Sequence, residues 1–207
     1  TQLFDHLEHS KFRSSFHLKQ QDIDYSKEHG MNIDSQTGTD EYKTEPVPEG
    51  KPVPVEPQNS EITDKEMTCV LSVRCDTILN NLSKFNSDKM DILPQEGVIF
   101  AEREVTFYEG ESVFNVTLRE MKKNKIHMEF VNTPIYNSAY IEGIGNIYEY
   151  DCGELSGWMY SVNGWFPNYG CSRYELKQGD KIEWQYTCDL GADVGGYTES
   201  GGGQRDE

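Results

Sequence analysis

Hydrophobic and polar positions alternate most regularly in residues 156–186, SGWMYSVNGWFPNYGCSRYELKQGDKIEWQY. Residues 158–163 send successive side chains to opposite faces, which predicts a strand. Asn163 and Gly164 then supply a turn, because both tolerate positive φ. Tyr174 and Leu176 lead into a second turn at Gln178, Gly179 and Asp180. Residues 181–186 resume the alternation, with Ile182 and Trp184 on one face and Lys181, Glu183 and Gln185 on the other. An aromatic loop, residues 164–170, is thus held between two strands. It is either the corner of a core or a surface facing a ligand.

The same pattern organises residues 67–155. TCVLSVRC places Cys69, Leu71, Val73 and Cys75 on one face and predicts a first strand. Val105 and Phe107 predict a second, closed by Glu109 and Gly110. Ser112 is placed to cap a helix, with Val113, Val116, Thr117, Glu120 and Met121 at helical spacing behind it. Lys122, Lys123 and Lys125 suit the negative end of its dipole. Ile126, Met128 and Phe130 return to strand alternation, and short strands are expected at residues 140–141 and 147–148. This order predicts an α+β domain over residues 67–196, a β-grasp-like mixed sheet with one packed helix.

Composition changes the picture outside that domain. Five of the eight prolines fall in EPVPEGKPVPVEP, so residues 36–66 read as an extended, solvated Pro/Glu linker. Residues 1–35 read as a short helical segment ended near Gly30, and residues 197–207 as a disordered glycine-rich tail. A net charge of −17 argues against a nucleic-acid partner, because phosphates are repelled. No apolar run is long enough to span a membrane. Residues 1–16 lack the apolar core of a leader, so any signal segment is expected upstream of Thr1.

The five cysteines, Cys69, Cys75, Cys152, Cys171 and Cys188, show no CxxC spacing. They are either partners in disulfides of an exported protein or five buried reduced thiols. In a β-grasp the first and last strands lie side by side, which suggests Cys75–Cys188. Cys152 and Cys171 bracket the aromatic hairpin and suggest a second bridge, leaving Cys69 buried and inert.

Residues 138–196, with SGWMYSVNG and GDKIEWQY at their centre, resemble the bacterial transcobalamin-like C-terminal domain family. FYEGESVFNVTLRE and KIHMEF extend the resemblance over about residues 67–196. It implies kinship with the small C-terminal domain of intrinsic factor and transcobalamin, which closes over a corrinoid held by an α/α-barrel. No α/α-barrel accompanies the domain here. By that resemblance the ligand-facing residues are Trp158, Tyr160, Asn163, Trp165, Phe166 and Tyr169. Separately, KFRSSFHLKQQDIDYSKEHG resembles the N-terminal motif of a small bacterial family of unknown function, without that family's continuation.

Catalysis finds little support in the residues. His127 has no nucleophile motif beside it, and Asp151 with Glu154 makes no defined acid–base pair. His6 and His9 lack further converging ligands, and Asp189 and Asp193 lack a full calcium loop, so no metal site is expected. The sequence therefore predicts a monomeric, non-catalytic module, extracellular or on a cell surface. Its ligand is either a small molecule such as a corrinoid, with no cofactor required, or a protein or glycan surface.

Overall fold

The computed structural model describes residues 47–196. The expected N-terminal helix, His6, His9 and the glycine-rich tail lie outside the described residues. Strand β1 (Glu66–Arg74) buries Cys69, Leu71 and Val73 on the face its alternation predicts. It pairs antiparallel with β2 (Val98–Tyr108) and parallel with β7 (Lys181–Thr187), in register from Val70↔Lys181 to Arg74↔Gln185. With β6 (Gly157–Val162) beside β7, the sheet order is β2-β1-β7-β6. The parallel pair at the centre needs a long crossover, and the rest of the domain supplies it.

Helix α1 (Val113–Lys123) packs on this sheet through Val113, Val116, Thr117, Glu120 and Met121, the predicted stripe. Ser112 caps it: its hydroxyl accepts from the Asn115 amide at 3.3 Å, and the Asn115 side chain accepts from the Ser112 N–H at 2.9 Å. Asn115 thus fills the role that Glu or Gln usually takes in a capping box. The Trp184 indole donates to Thr117 Oγ1 at 2.9 Å, joining the central strand to the helix inside the core.

The domain is α+β, as its pattern predicts, but the strands divide into two sheets. β3 (Met128–Thr133), β4 (Ser138–Ile144) and β5 (Ile147–Tyr148) form an antiparallel sheet of their own. Side chains, rather than a ladder, join it to the first sheet. The Trp158 indole donates to the Ile147 carbonyl at 2.8 Å, and the Tyr186 hydroxyl to the Tyr148 carbonyl at 2.7 Å. Large polar-tipped rings do this well, burying area while satisfying a backbone acceptor.

The cysteines depart from expectation. All five are free and buried, and neither expected bridge is present. The parallel register ends at Arg74↔Gln185, so its next step sets Cys75 level with Tyr186 rather than with Cys188. The Cys171 thiol turns to the Ala139 carbonyl at 3.6 Å, and the Cys152 thiol to the Asn81 carbonyl at 3.6 Å.

Burial raises the thiols of Cys69, Cys75 and Cys171 from 9.0 to about 12, because a thiolate loses its hydration there. Unfolding lets these thiols ionise near their ordinary value. Their contribution to stability is therefore complete below about pH 9 and is lost as pH rises towards about 12. Buried Tyr160, Tyr169 and Tyr186 shift in the same direction for the same reason. A urea midpoint that falls steadily above about pH 9 is expected; a midpoint flat to about pH 11 would contradict this burial.

Candidate functional site

The hairpin tip is built as its residues predict. Asn163 and Gly164 take φ of 53° and 77°, and Val162 and Trp165 exchange backbone hydrogen bonds of 2.8 and 3.0 Å across them. The Asn163 side chain is spent on this turn. Its amide donates to Asp180 Oδ1 at 2.8 Å and its carbonyl accepts from the Lys181 N–H at 2.9 Å.

The expected ligand-facing residues do not share one surface. Trp158, Tyr160 and Tyr169 are buried at 4%, 9% and 4% exposure. The Trp158 ring meets Tyr186 edge-on at 5.3 Å, while Tyr160 lies 5.5 Å from Trp184. The Tyr160 hydroxyl donates to the Tyr169 carbonyl at 2.7 Å, tying loop to strand. Trp165 and Phe166 are half-buried and Asn163 is exposed, so only the tip of the expected set reaches solvent. Trp165 leans on Tyr169 and Tyr174, at centroid distances of 6.0 and 6.5 Å, while Phe166 lies against Gly196.

What covers the aromatic loop is the chain's own proline-rich segment. Residues 47–60 are a strap laid on the domain, not the solvated linker their composition predicts, and Val47 and Pro54 are buried. The Tyr169 hydroxyl donates to the Pro52 carbonyl at 2.7 Å, and the Lys51 ammonium lies 5.5 Å from the Trp165 ring centre. Arg173, with no exposed surface, closes the clamp. Its carbonyl accepts from the Val55 N–H at 2.9 Å, and its guanidinium donates to Glu56 Oε1 at 2.8 Å and to the Val55 carbonyl at 3.4 Å. The Asn137 amide donates to the other oxygen of Glu56. Proline makes such a strap inexpensive to order, since its φ is already fixed.

Beside the strap lies an open groove of about 450 Å³. Pro57, Ser60 and Ile62 form one wall, the start of α1 (Ser112, Phe114, Asn115) forms the floor, and the β3–β4 hairpin forms the other wall. No charged side chain lines it, on a chain whose net charge is −17. Asn132, Asn137 and Ser172 offer amides and a hydroxyl at its edge. Sequence reasoning misses this groove because its residues come from four separated stretches, none with a motif. Asn132, Asn137 and Ser138 around Pro134 were the available signal. A second concavity, of about 330 Å³, lies on the outer face of the larger sheet and is charged, with Arg74, Asp76, Glu102, Glu183 and Asp193 on its walls.

Asp151, weighed for acid–base chemistry, and Asp193, weighed for calcium, have structural work. Asp151 accepts from Lys89 at 2.6 Å and from the Tyr148 N–H at 2.7 Å. Asp193 accepts from the Cys188 N–H at 2.8 Å and from Thr187 Oγ1 at 2.5 Å, capping the end of β7. His127 Nε2 meets the Tyr148 hydroxyl at 2.7 Å, and that hydroxyl donates to Glu129 at 2.5 Å. The hydrogen bond to Glu129 pushes Tyr148 up to about 12 and holds Glu129 below the usual carboxylate range. The trio stands on an exposed hairpin and lines neither groove. Among the described residues no cluster of His, Cys, Asp and Glu is placed to hold a metal ion.

The clamp predicts a contrast between two ion pairs. Glu56→Ala leaves a buried guanidinium without its carboxylate and is expected to cost about 3 kcal/mol in denaturant unfolding. Lys65→Ala breaks the exposed Lys65–Glu109 pair, 2.7 Å apart, and is expected to cost about 0.5 kcal/mol or less. Equal effects would contradict the buried clamp.

Comparison with known proteins gives a family match and several distant structural likenesses, two of which follow. Residues 110–188, from the turn before α1 to the end of β7, match the model of a domain of unknown function, DUF4430. That span takes in the whole aromatic hairpin but leaves out β1 and β2. No curated protein sequence matches the chain. Haptocorrin in complex with Cbi is similar at 15% identity and a TM-score of 0.44, over 60% of this chain and 26% of that one. A protein of Ruminococcus gnavus ATCC 29149, described as metal binding, is similar at 13% identity and a TM-score of 0.34, over 58% of this chain and 96% of its own. The chain thus spans about a quarter of the length of haptocorrin.

Proposed function

We propose that this chain is a non-catalytic binding module of an exported bacterial protein, and that it holds an uncharged small molecule with a hydrogen-bonding rim. The observation that carries this reading is the groove between the proline strap and the start of α1, open and free of charged side chains on a strongly acidic chain. Concave sites that join apolar walls to a few placed polar groups suit small ligands. Ile62 and Pro134 supply the walls and Phe114 the floor, while exposed Asn132 supplies a polar edge. A corrinoid, a flat macrocycle with neutral amide arms, is the ligand class to test first, in keeping with the family resemblance. The hairpin tip, Trp165 and Phe166, is the further contact expected of that resemblance. A one-sided surface binds such a ligand weakly, because much of the ligand stays in water.

A second reading is favoured by the strap itself. An aromatic shelf that already holds a proline-rich segment has the form of a peptide-recognition surface, so the module would meet protein rather than a small molecule.

Titration of the intact chain with cobinamide and with cobalamin, followed by calorimetry, separates the two. The first reading predicts a saturable signal with Kd on the order of 10–100 μM. Asn132→Ala, at an exposed position, should weaken binding about fivefold without moving Tm. Trp165→Ala should weaken it only if the tip takes part. No saturable signal from either corrinoid would sink the small-molecule reading and leave the protein-binding one.

A further inference from the structure

Two cysteines that the sequence assigns to different bridges lie together in the fold. Cys152 follows β5, and Cys188 follows β7. Each thiol is an interaction partner of the other. Both also bond to one short turn: the Cys152 thiol to the Asn81 carbonyl at 3.6 Å, and the Cys188 thiol to Thr77 Oγ1 at 3.8 Å. That turn is closed on itself by the Asn81 amide, which donates to the Thr77 carbonyl at 3.0 Å.

The backbone on each side is fixed. The Cys152 N–H donates to Ser156 Oγ at 3.0 Å, and that hydroxyl also accepts from Tyr186 at 2.9 Å. The Cys188 N–H donates to Asp193 at 2.8 Å. Cys152 is fully buried and Cys188 is 5% exposed, and both thiols turn to residues 77–81 rather than to solvent. The Cys171 thiol lies elsewhere, against the Ala139 carbonyl.

We propose that Cys152 and Cys188 form a disulfide on folding under oxidising conditions, and that it braces the open end of the β6–β7 hairpin. The hairpin ladder ends at Gly157↔Thr187, so the bridge would tie Cys188, one residue past the last pair, to the turn that leads into β6. The chemistry balances with an oxidised low-molecular-weight disulfide as the electron acceptor. A thiolate of one cysteine attacks that disulfide, and one of its sulfurs leaves as a thiol. The second cysteine then displaces the other, forming the Cys152–Cys188 bond. Overall two protein thiols lose two protons and two electrons, and the reagent is reduced to two thiols. Because both sulfurs are buried in the folded chain, the exchange occurs while the chain folds. The bond restrains the unfolded chain and leaves the fold as it is.

The test is to refold the full chain from the reduced, denatured state in a mixture of reduced and oxidised glutathione. Free thiols are then alkylated and the unreduced digest is mapped by mass spectrometry. The expected result is one crosslinked pair, Cys152 with Cys188, and alkylated Cys69, Cys75 and Cys171. Reduction should then lower Tm by several degrees. Cys171→Ser should keep the crosslink. Alkylation of both Cys152 and Cys188, or a map that joins Cys152 to Cys171 or Cys75 to Cys188, would overturn the proposal. A crosslink that leaves Tm unchanged on reduction would overturn the bracing role. The wild-type map decides the pairing even if Cys152→Ser or Cys188→Ser fails to fold.

Discussion

The buried guanidinium of Arg173 is the constraint on which the site depends. An arginine without exposed surface must find a carboxylate and carbonyls, or leave a charge uncompensated inside the protein. Here the partners, Glu56 and Val55, lie in a proline-rich segment more than a hundred residues earlier in the chain. The arginine therefore decides where the strap runs. The strap in turn covers Tyr169, sets one wall of the neutral groove, and leaves only the hairpin tip in solvent. Asn137, bonded to the same Glu56, fixes the opposite wall to the same centre.

This arrangement changes what the aromatic cluster does. Three rings that a ligand-facing strand would present are turned inward, each with its polar tip on a backbone carbonyl: Trp158 on Ile147, Tyr160 on Tyr169, Tyr169 on Pro52. They hold two sheets and a strap together rather than waiting for a partner. The groove beside the strap is lined instead by neutral amides, hydroxyls and apolar groups. Its lack of charge sets it apart from the second groove on the outer face of the larger sheet.

The regular parts of the fold were legible because they follow periodicity. The burial of Cys69, Leu71 and Val73, the stripe on α1 and the Asn163–Gly164 turn all come directly from local pattern. The parallel meeting of β1 and β7 follows from the β-grasp order. The second sheet was not legible, since its link to the first runs through the tips of Trp158 and Tyr186, which no local period encodes. The strap was misread for a related reason. Its prolines and glutamates have the composition of a solvated spacer, and only the buried arginine far downstream makes Glu56 and Val55 interior partners. The cysteine pairing failed on register: two residues along a strand separate a plausible neighbour from an actual one.

The central claim is that residues 47–60 are part of the domain, clamped by Arg173 over the aromatic loop. Hydrogen exchange at the Val55 amide tests it most directly, since that N–H donates to the Arg173 carbonyl at 2.9 Å and to nothing else if the strap is free. The account predicts protection of Val55 comparable to that of the amides of β7, lost together with them as denaturant is raised. Exchange of Val55 at the rate of an unstructured peptide, while β7 stays protected, would contradict it.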